Sequence, residues 1–374
     1  MSVMNMFKSI GIGWFLIILV MIWHMLSFLG LSQELYGFYA GCVYPIVRAT
    51  LGIIAFYFPT PLWFILLGGL IFLTVLKYRS SMQTLIVNST ISRKIRVIMR
   101  SVLNVMSGLA ALFYILWAFH YYRPAISIEM NLPESRLTPD LINDEFKFIT
   151  RVVNQQREWI SQDTAAFLPV IDAKVLSDHL QLTQNELLAS WSMPIYKWTR
   201  VKSLYPKGML LSISTAGFYL PFAGEGYIDA GLHPLQWPFT MAHEMAHVQG
   251  LTDEGSCNFI GLLTCLHSKD AVVRYSGLLS YWGYLYRQMM QLYPDEAKII
   301  RNQLNIGVKA DLKAIRMQIM KYPDIFPRFR NLVYDTYLKT HGVPEGLRSY
   351  DGVVLLMIRW KESKRSFPIV PAHQ

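Results

Sequence analysis

Hydrophobic and polar positions follow two different rules along the chain. Up to about residue 120, apolar residues run nearly unbroken for some twenty positions at a time. Beyond it they recur at helical spacing among mixed charges. A bilayer core needs about 20 consecutive apolar residues as helix. Three runs meet that length: 11–31, interrupted only by His24; 51–76, with no charge and with Pro59 and Pro61 placed to kink it or delay its start; and 101–120, with no Asp, Glu, Lys or Arg. The pattern therefore predicts three transmembrane helices. The first run lacks an A-x-A-like cleavage site and is long for a leader, so it is expected to stay as an anchor. His24 inside it is costly if charged and is expected to be neutral and packed against another span.

After Tyr122 the pattern is that of one ordinary domain, giving expected boundaries of 1–123 for the membrane anchor and 124–374 for the rest. Residues 124–138 form a linker. Thr138 followed by Pro139 is a helix start, and Leu141, Ile142, Phe146, Ile149, Val152 and Val153 continue it at helical spacing. A second helix is expected at about 173–190. The stretch 208–230, rich in β-branched and aromatic residues broken by glycines, reads as two or three short strands forming a small antiparallel sheet. From Pro238 to about 362 the pattern is mostly helical.

Charge adds a direction. The chain carries a net charge of +10, yet residues 1–120 hold one acid, Glu34, against eight basic residues. The segment 77–100 holds Lys77, Arg79, Arg93, Lys94, Arg96 and Arg100 and no acid, which places it in the cytoplasm. Everything after residue 122 then lies outside, with Tyr121, Tyr122 and Arg123 as an outer interfacial anchor. Because the basic residues flank apolar runs rather than line a soluble face, nucleic acid is excluded as the partner they serve. The lipid bilayer is the partner they fit. Three cysteines make no disulfide framework and no CxxC pair. Cys257 and Cys265, eight residues apart, would lie roughly 12 Å apart on one helix, too far to bridge.

The chemistry is concentrated in 238–265, PFTMAHEMAHVQGLTDEGSCNFIGLLTC. His243 and His247 are four apart, so a helix puts both imidazoles on one face, about 6 Å from each other, where one Zn²⁺ can sit. Glu244 can serve a zinc-activated water as general base and the leaving amine as acid. Pro238 starts the helix cleanly, and Gly250 can end it in a left-handed turn. A catalytic zinc needs a third protein ligand. Glu254, where a helix resumes, is the first choice. Asp253 completes H-E-x-x-H-x-x-G-x-x-D and is the alternative, although it is equally suited to cap that helix. Asn258, one turn beyond Glu254, is placed to orient a ligand histidine from behind. Cys257 reads as a small core residue.

These residues resemble a bacterial family of multi-spanning membrane proteins of unknown function with an HExxH, gluzincin-like zinc-metallopeptidase signature. The resemblance is carried by WAFHYYRP at 117–124, GFYLPFAGEGYID at 217–229, FTMAHEMAHVQGLTDEGSCNF at 239–259 and VYDTYLKTHGVPEGLRSYDGVVLLMIRW at 333–360. It implies three spans followed by a mostly helical α+β domain of the zincin type outside the bacterial cytoplasmic membrane. By it, His243 and His247 are ligands, Glu244 is the base, and Glu254 is the acid after the turn. The chain departs from that pattern at Ser256 and Cys257, where Glu and Ala are expected. The implied activity is zinc-dependent hydrolysis of a peptide or protein at the membrane surface. The alternatives are a degenerate peptidase that binds envelope peptides without cutting them, or a membrane sensor or scaffold.

Four further positions complete the expected site. Tyr350, after the GVPEG turn, is the preferred oxyanion donor over Tyr337. His341 in that turn is expected to be exposed. Glu225 reads as either a turn residue or a cleft-lining carboxylate. The strand near 217–222 is placed to pair with an extended substrate.

Overall fold

The computed structural model describes residues 12–85, 90–325 and 352–363. They fall into two compact units. One holds the chain up to Arg123 together with Leu220–Gly224, and the other holds Pro124–Tyr219 and the chain from Glu225 onward.

In the first unit, helices α1 (Ile12–Leu26), α2 (Ser32–Phe38) and α3 (Tyr44–Tyr57) follow one another through two π-turns. Gly30, at φ +96°, kinks the first of these turns. Helices α4 (Leu62–Leu85) and α5 (Ile91–Leu116) complete the unit. The sequence run 51–76 is two helices rather than one. Phe58 precedes Pro59 and is extended at φ −78°, ψ 122°, because the proline ring disfavours helical backbone in the residue before it. Pro61 supplies no N–H to resume the ladder. Among the described residues two stretches are long and apolar enough to cross a membrane, Ile12–Tyr57 and Ile95–Leu116, and Leu62–Leu73 is a shorter apolar helix. Three spans therefore do not emerge as expected. α1 and α5 pack backbone to backbone, with the Gly13 N–H donating to Asn104 Oδ1 at 3.1 Å. A Cβ on Gly13 would lie 1.9 Å from the Asn104 carbonyl. The His24 Nδ1 lies 2.6 Å from the Tyr122 hydroxyl, and its ring meets Tyr114 edge-on.

The second unit is mostly helical: α6 (Pro139–Ile160), α7 (Ala173–Ser190), α8 (Trp237–Val248), α9 (Glu254–His267), α10 (Ala271–Leu292), α11 (Pro294–Asn302), α12 (Ile306–Ile319) and α13 (Gly352–Glu362). Thr138 caps α6 through the Leu141 N–H, and α7 falls where its pattern places it. Three strands, β1 (Val201–Leu204), β2 (Gly217–Leu220) and β3 (Glu225–Asp229), form a sheet in the order β1-β3-β2.

That sheet is mixed, not antiparallel. β1 runs parallel to β3, with Val201 opposite Gly226 and Leu204 opposite Asp229. The β2–β3 hairpin occupies one side of β3, so β1 enters on the other side after a crossover. Part of that crossover, 208–213, reads as strand in the sequence but folds as turn and 3₁₀-helix. The buried Asp229 carboxylate accepts the N–H groups of Gly208, Leu210 and Leu211 at 2.7–3.1 Å and so takes the donors a strand would use. The core gathers around α8 and α9, where Met241, Ala242, Met245, Ala246, Phe259, Leu262 and Leu263 are fully buried. Gly261 lets these two helices touch, since a Cβ there would sit 3.0 Å from the His243 amide nitrogen.

Candidate metal centre

The motif helix α8 has Pro238 in its first turn, where the missing N–H costs nothing. It ends in a full Schellman turn. Gly250 takes φ +79°, its N–H donates to the His247 carbonyl, and the Leu251 N–H donates to the Ala246 carbonyl. The turn has a chemical consequence. It swings the Leu251 carbonyl back to 2.8 Å from His247 Nδ1, which donates to it and turns Nε2 toward Glu254. A histidine that binds metal through Nε2 needs that orientation.

The turn also brings α9 alongside. His243, His247 and Glu254 each offer a ligand atom, and these atoms lie within 4.8 Å of one another. Glu254 Oε2 is 3.2 Å from His243 Nε2 and 3.7 Å from His247 Nε2. The imidazole planes are nearly perpendicular, at 84°. All three residues are at most 9% exposed. Two imidazole nitrogens and one carboxylate oxygen converging on a single point could hold an ion such as zinc, which takes three protein ligands of these types in sites that leave a fourth position open. The residues present fit the ion.

The neighbouring acids divide the work. Asp253 caps α9, its Oδ2 accepting both the backbone N–H and the hydroxyl of Ser256 at 2.7 Å. That carboxylate is used, and it is not one of the converging three. Ser256, the departure from the family pattern, therefore serves the cap, and the acid at the cluster is Glu254. Cys257 follows on the same turn, its Sγ 3.3 Å from His247 Nδ1. Burial pushes its thiol up to about 11, so it stands beside His247 as a neutral group.

Glu244 points its carboxylate into the space between α8 and the sheet. It is 3% exposed, and its Oε2 has no hydrogen-bond partner among the described residues. Burial raises its pKa to about 7, Glu254 adds to the rise, and His243 and His247 oppose it. A carboxylate poised there is matched to proton transfer near neutral pH.

The other expected site residues fare differently. Asn258 Oδ1 accepts from the Tyr284 hydroxyl at 3.0 Å, while the bond that orients His247 comes from Leu251. His243 Nδ1 has no partner among the described residues. Glu225 is neither in a turn nor in a cleft. It is buried within β3, bound by the Lys202 ammonium and the Tyr227 hydroxyl. Tyr350, Tyr337 and His341 lie outside the described residues. The described C-terminal helix does reach the site's edge, where a Cβ on Gly352 would meet the Gly255 Cα at 3.4 Å.

Sequence reasoning missed the Leu251 carbonyl, because a backbone atom leaves no residue-type signal. Gly250, which delivers it, was the available clue.

No curated protein and no solved structure matches the chain. A family model described as "Protein of unknown function (DUF3810)" matches residues 39–358, well over half of the sequence, and the chain belongs to that family.

Proposed function

We propose that the chain is a zinc-dependent peptidase anchored to a membrane by its N-terminal helices. The observation that carries this reading is the convergence of His243, His247 and Glu254 within 4.8 Å beside a buried Glu244 whose Oε2 has no partner among the described residues. Zinc, when bound, supplies Lewis acidity to a peptide carbonyl and acidifies water to a pKa of about 7. Glu244 takes the proton from the attacking water and returns it to the departing amine. The Leu251 carbonyl holds His247 in its ligand orientation throughout. Among the described residues β2 is an edge strand, which supports capture of an extended peptide by strand addition. The long apolar stretches Ile12–Tyr57 and Ile95–Leu116 support the anchor, and the basic 77–100 segment supports an active domain on the side opposite the cytoplasm.

The near-complete burial of the three ligands favours one second reading, a site that holds metal to bind or brace without cutting. Assay of the zinc-loaded full chain in nanodiscs against a mixed peptide library decides between them. Cleavage that disappears in Glu244→Gln, with zinc content unchanged, supports the peptidase. Zinc binding without cleavage in the wild type supports the second reading.

A further inference from the structure

Glu244 is a long, flexible side chain with one carboxylate oxygen unpartnered, so something other than hydrogen bonding must set where it points. The sheet does so. Two strands each bring a glycine against the Glu244 side chain. An ideal Cβ on Gly217, in β2, would lie 2.7 Å from Glu244 Oε1, 3.0 Å from its Cγ and 2.6 Å from the Tyr227 carbonyl. An ideal Cβ on Gly226, in β3, would lie 3.0 Å from Glu244 Cβ and 2.9 Å from Val201 Cγ2.

Side chains alternate along a strand. The rings of Phe218 and Tyr227 meet at a tilt, 5.3 Å between centroids, on the face away from Glu244. Positions 217 and 226 are thus the ones that face the helix, and both lack a side chain. The glycines are not there for backbone freedom, as neither has a positive φ. They are there for space, and Glu244 fills it together with the Tyr227 carbonyl at 217 and Val201 at 226.

We infer that Gly217 and Gly226 form a slot that positions the Glu244 carboxylate for proton transfer. Gly217 gates the carboxylate and Gly226 the stem. They are positioning residues, and their role rests on the hydrolytic reading of the site. A methyl group at 217 crowds the Glu244 carboxylate and the Tyr227 carbonyl, and its nearest neighbours include none of His243, His247 and Glu254.

The test uses the full-length zinc-loaded protein in detergent, with acetohydroxamate as probe. A hydroxamate chelates zinc and needs a nearby carboxylate to accept its proton, so its binding reads Glu244 placement without turnover. Zinc content, acetohydroxamate affinity and peptide cleavage are measured for wild type, Gly217→Ala, Gly226→Ala, Glu244→Gln and both glycine variants combined with Glu244→Gln. Gly283→Ala is the control for an added methyl, because a Cβ there meets nothing within 4 Å. Gly217→Ala should keep one zinc per chain, lose about tenfold in acetohydroxamate affinity and lose roughly 100-fold in kcat with little change in KM. In the Glu244→Gln background the same substitution should cost nothing further. Wild-type affinity in both glycine variants, or an undiminished loss in the Glu244→Gln background, overturns the inference. So does joint loss of zinc and fold in both, which would make the glycines merely structural. A wild type that holds zinc but neither binds acetohydroxamate nor cleaves peptide sinks the hydrolytic reading itself and the slot with it.

Discussion

The two units solve opposite problems of solvation. In the N-terminal unit apolar side chains face outward, among them Phe28, Leu29, Ile71, Phe72 and Leu73, each more than half exposed. In the second unit it is ionisable groups that face inward. His243, Glu244, His247 and Glu254 are clustered and nearly sealed from water. Exposed apolar surface on that scale marks a face for a membrane or another protein, and buried ionisable groups that converge must be paired or hold a metal. The difference teaches that the two units present opposite kinds of group to water, and on the proposed reading the bilayer completes one and zinc the other.

The comparison can be broken most sharply at Glu244. On the proposed reading Glu244→Gln lowers kcat/KM by about 10³-fold and leaves zinc content unchanged, because the base is lost while the ligands remain. Zinc lost together with activity would mean that Glu244 is part of the metal-holding structure.

In the outward-facing unit, Met106→Arg, near the middle of Ile95–Leu116, should on the proposed reading cost about 2.5–3.5 kcal/mol of membrane insertion for helix α5, read as the inserted fraction of a glycosylation reporter. No change would show that α5 does not enter a bilayer.

The inward-facing unit also pays for its function in stability. Glu244 has a folded pKa of about 7 against an ordinary value of 4.5. Below 4.5 it is protonated in both the folded and unfolded chain, and its contribution is fully present. As pH rises through about 7 that contribution is lost, because the unfolded chain ionises first. At pH 8 the metal-free protein should therefore be stabilised by Glu244→Gln, by up to about 3 kcal/mol, with the gain vanishing near pH 4.5. Denaturant titrations at the two pH values check this, and a destabilised variant at pH 8 contradicts it.

The smallest effect separates the adjacent acids. Asp253→Ala should cost about 1 kcal/mol as a lost N-cap and keep its zinc, whereas Glu254→Gln should weaken zinc binding without that loss of helix stability. Thermal unfolding of the metal-free variants and zinc titration read the two outcomes, and the reverse assignment would make Asp253 the ligand.

Much of this was legible from spacing. His243 and His247 announce a shared helical face, Pro238 and Gly250 bracket the helix, and Thr138 and Asp253 announce caps, because each of these signals acts over a single turn. Long-range arrangement was not legible. β1 lies parallel to β3 only because the β2–β3 hairpin holds the other side, and Asp229 turns 208–213 into a loop from some twenty residues away. Pro59 and Pro61 predict either a kink or a delayed start, and the structure takes the second course: the chain is extended at Phe58 and the next helix starts at Leu62. The choice between Asp253 and Glu254 also needed the fold, since the two differ by one residue and only the turn geometry shows which carboxylate reaches the imidazoles.

The most direct test is the zinc content of purified full-length protein, wild type beside His247→Ala. About one zinc per chain in the wild type and none in a folded His247→Ala variant is the predicted result. No zinc in a folded wild type, after exposure to excess zinc and dialysis, would contradict the metal centre and every step assigned to it.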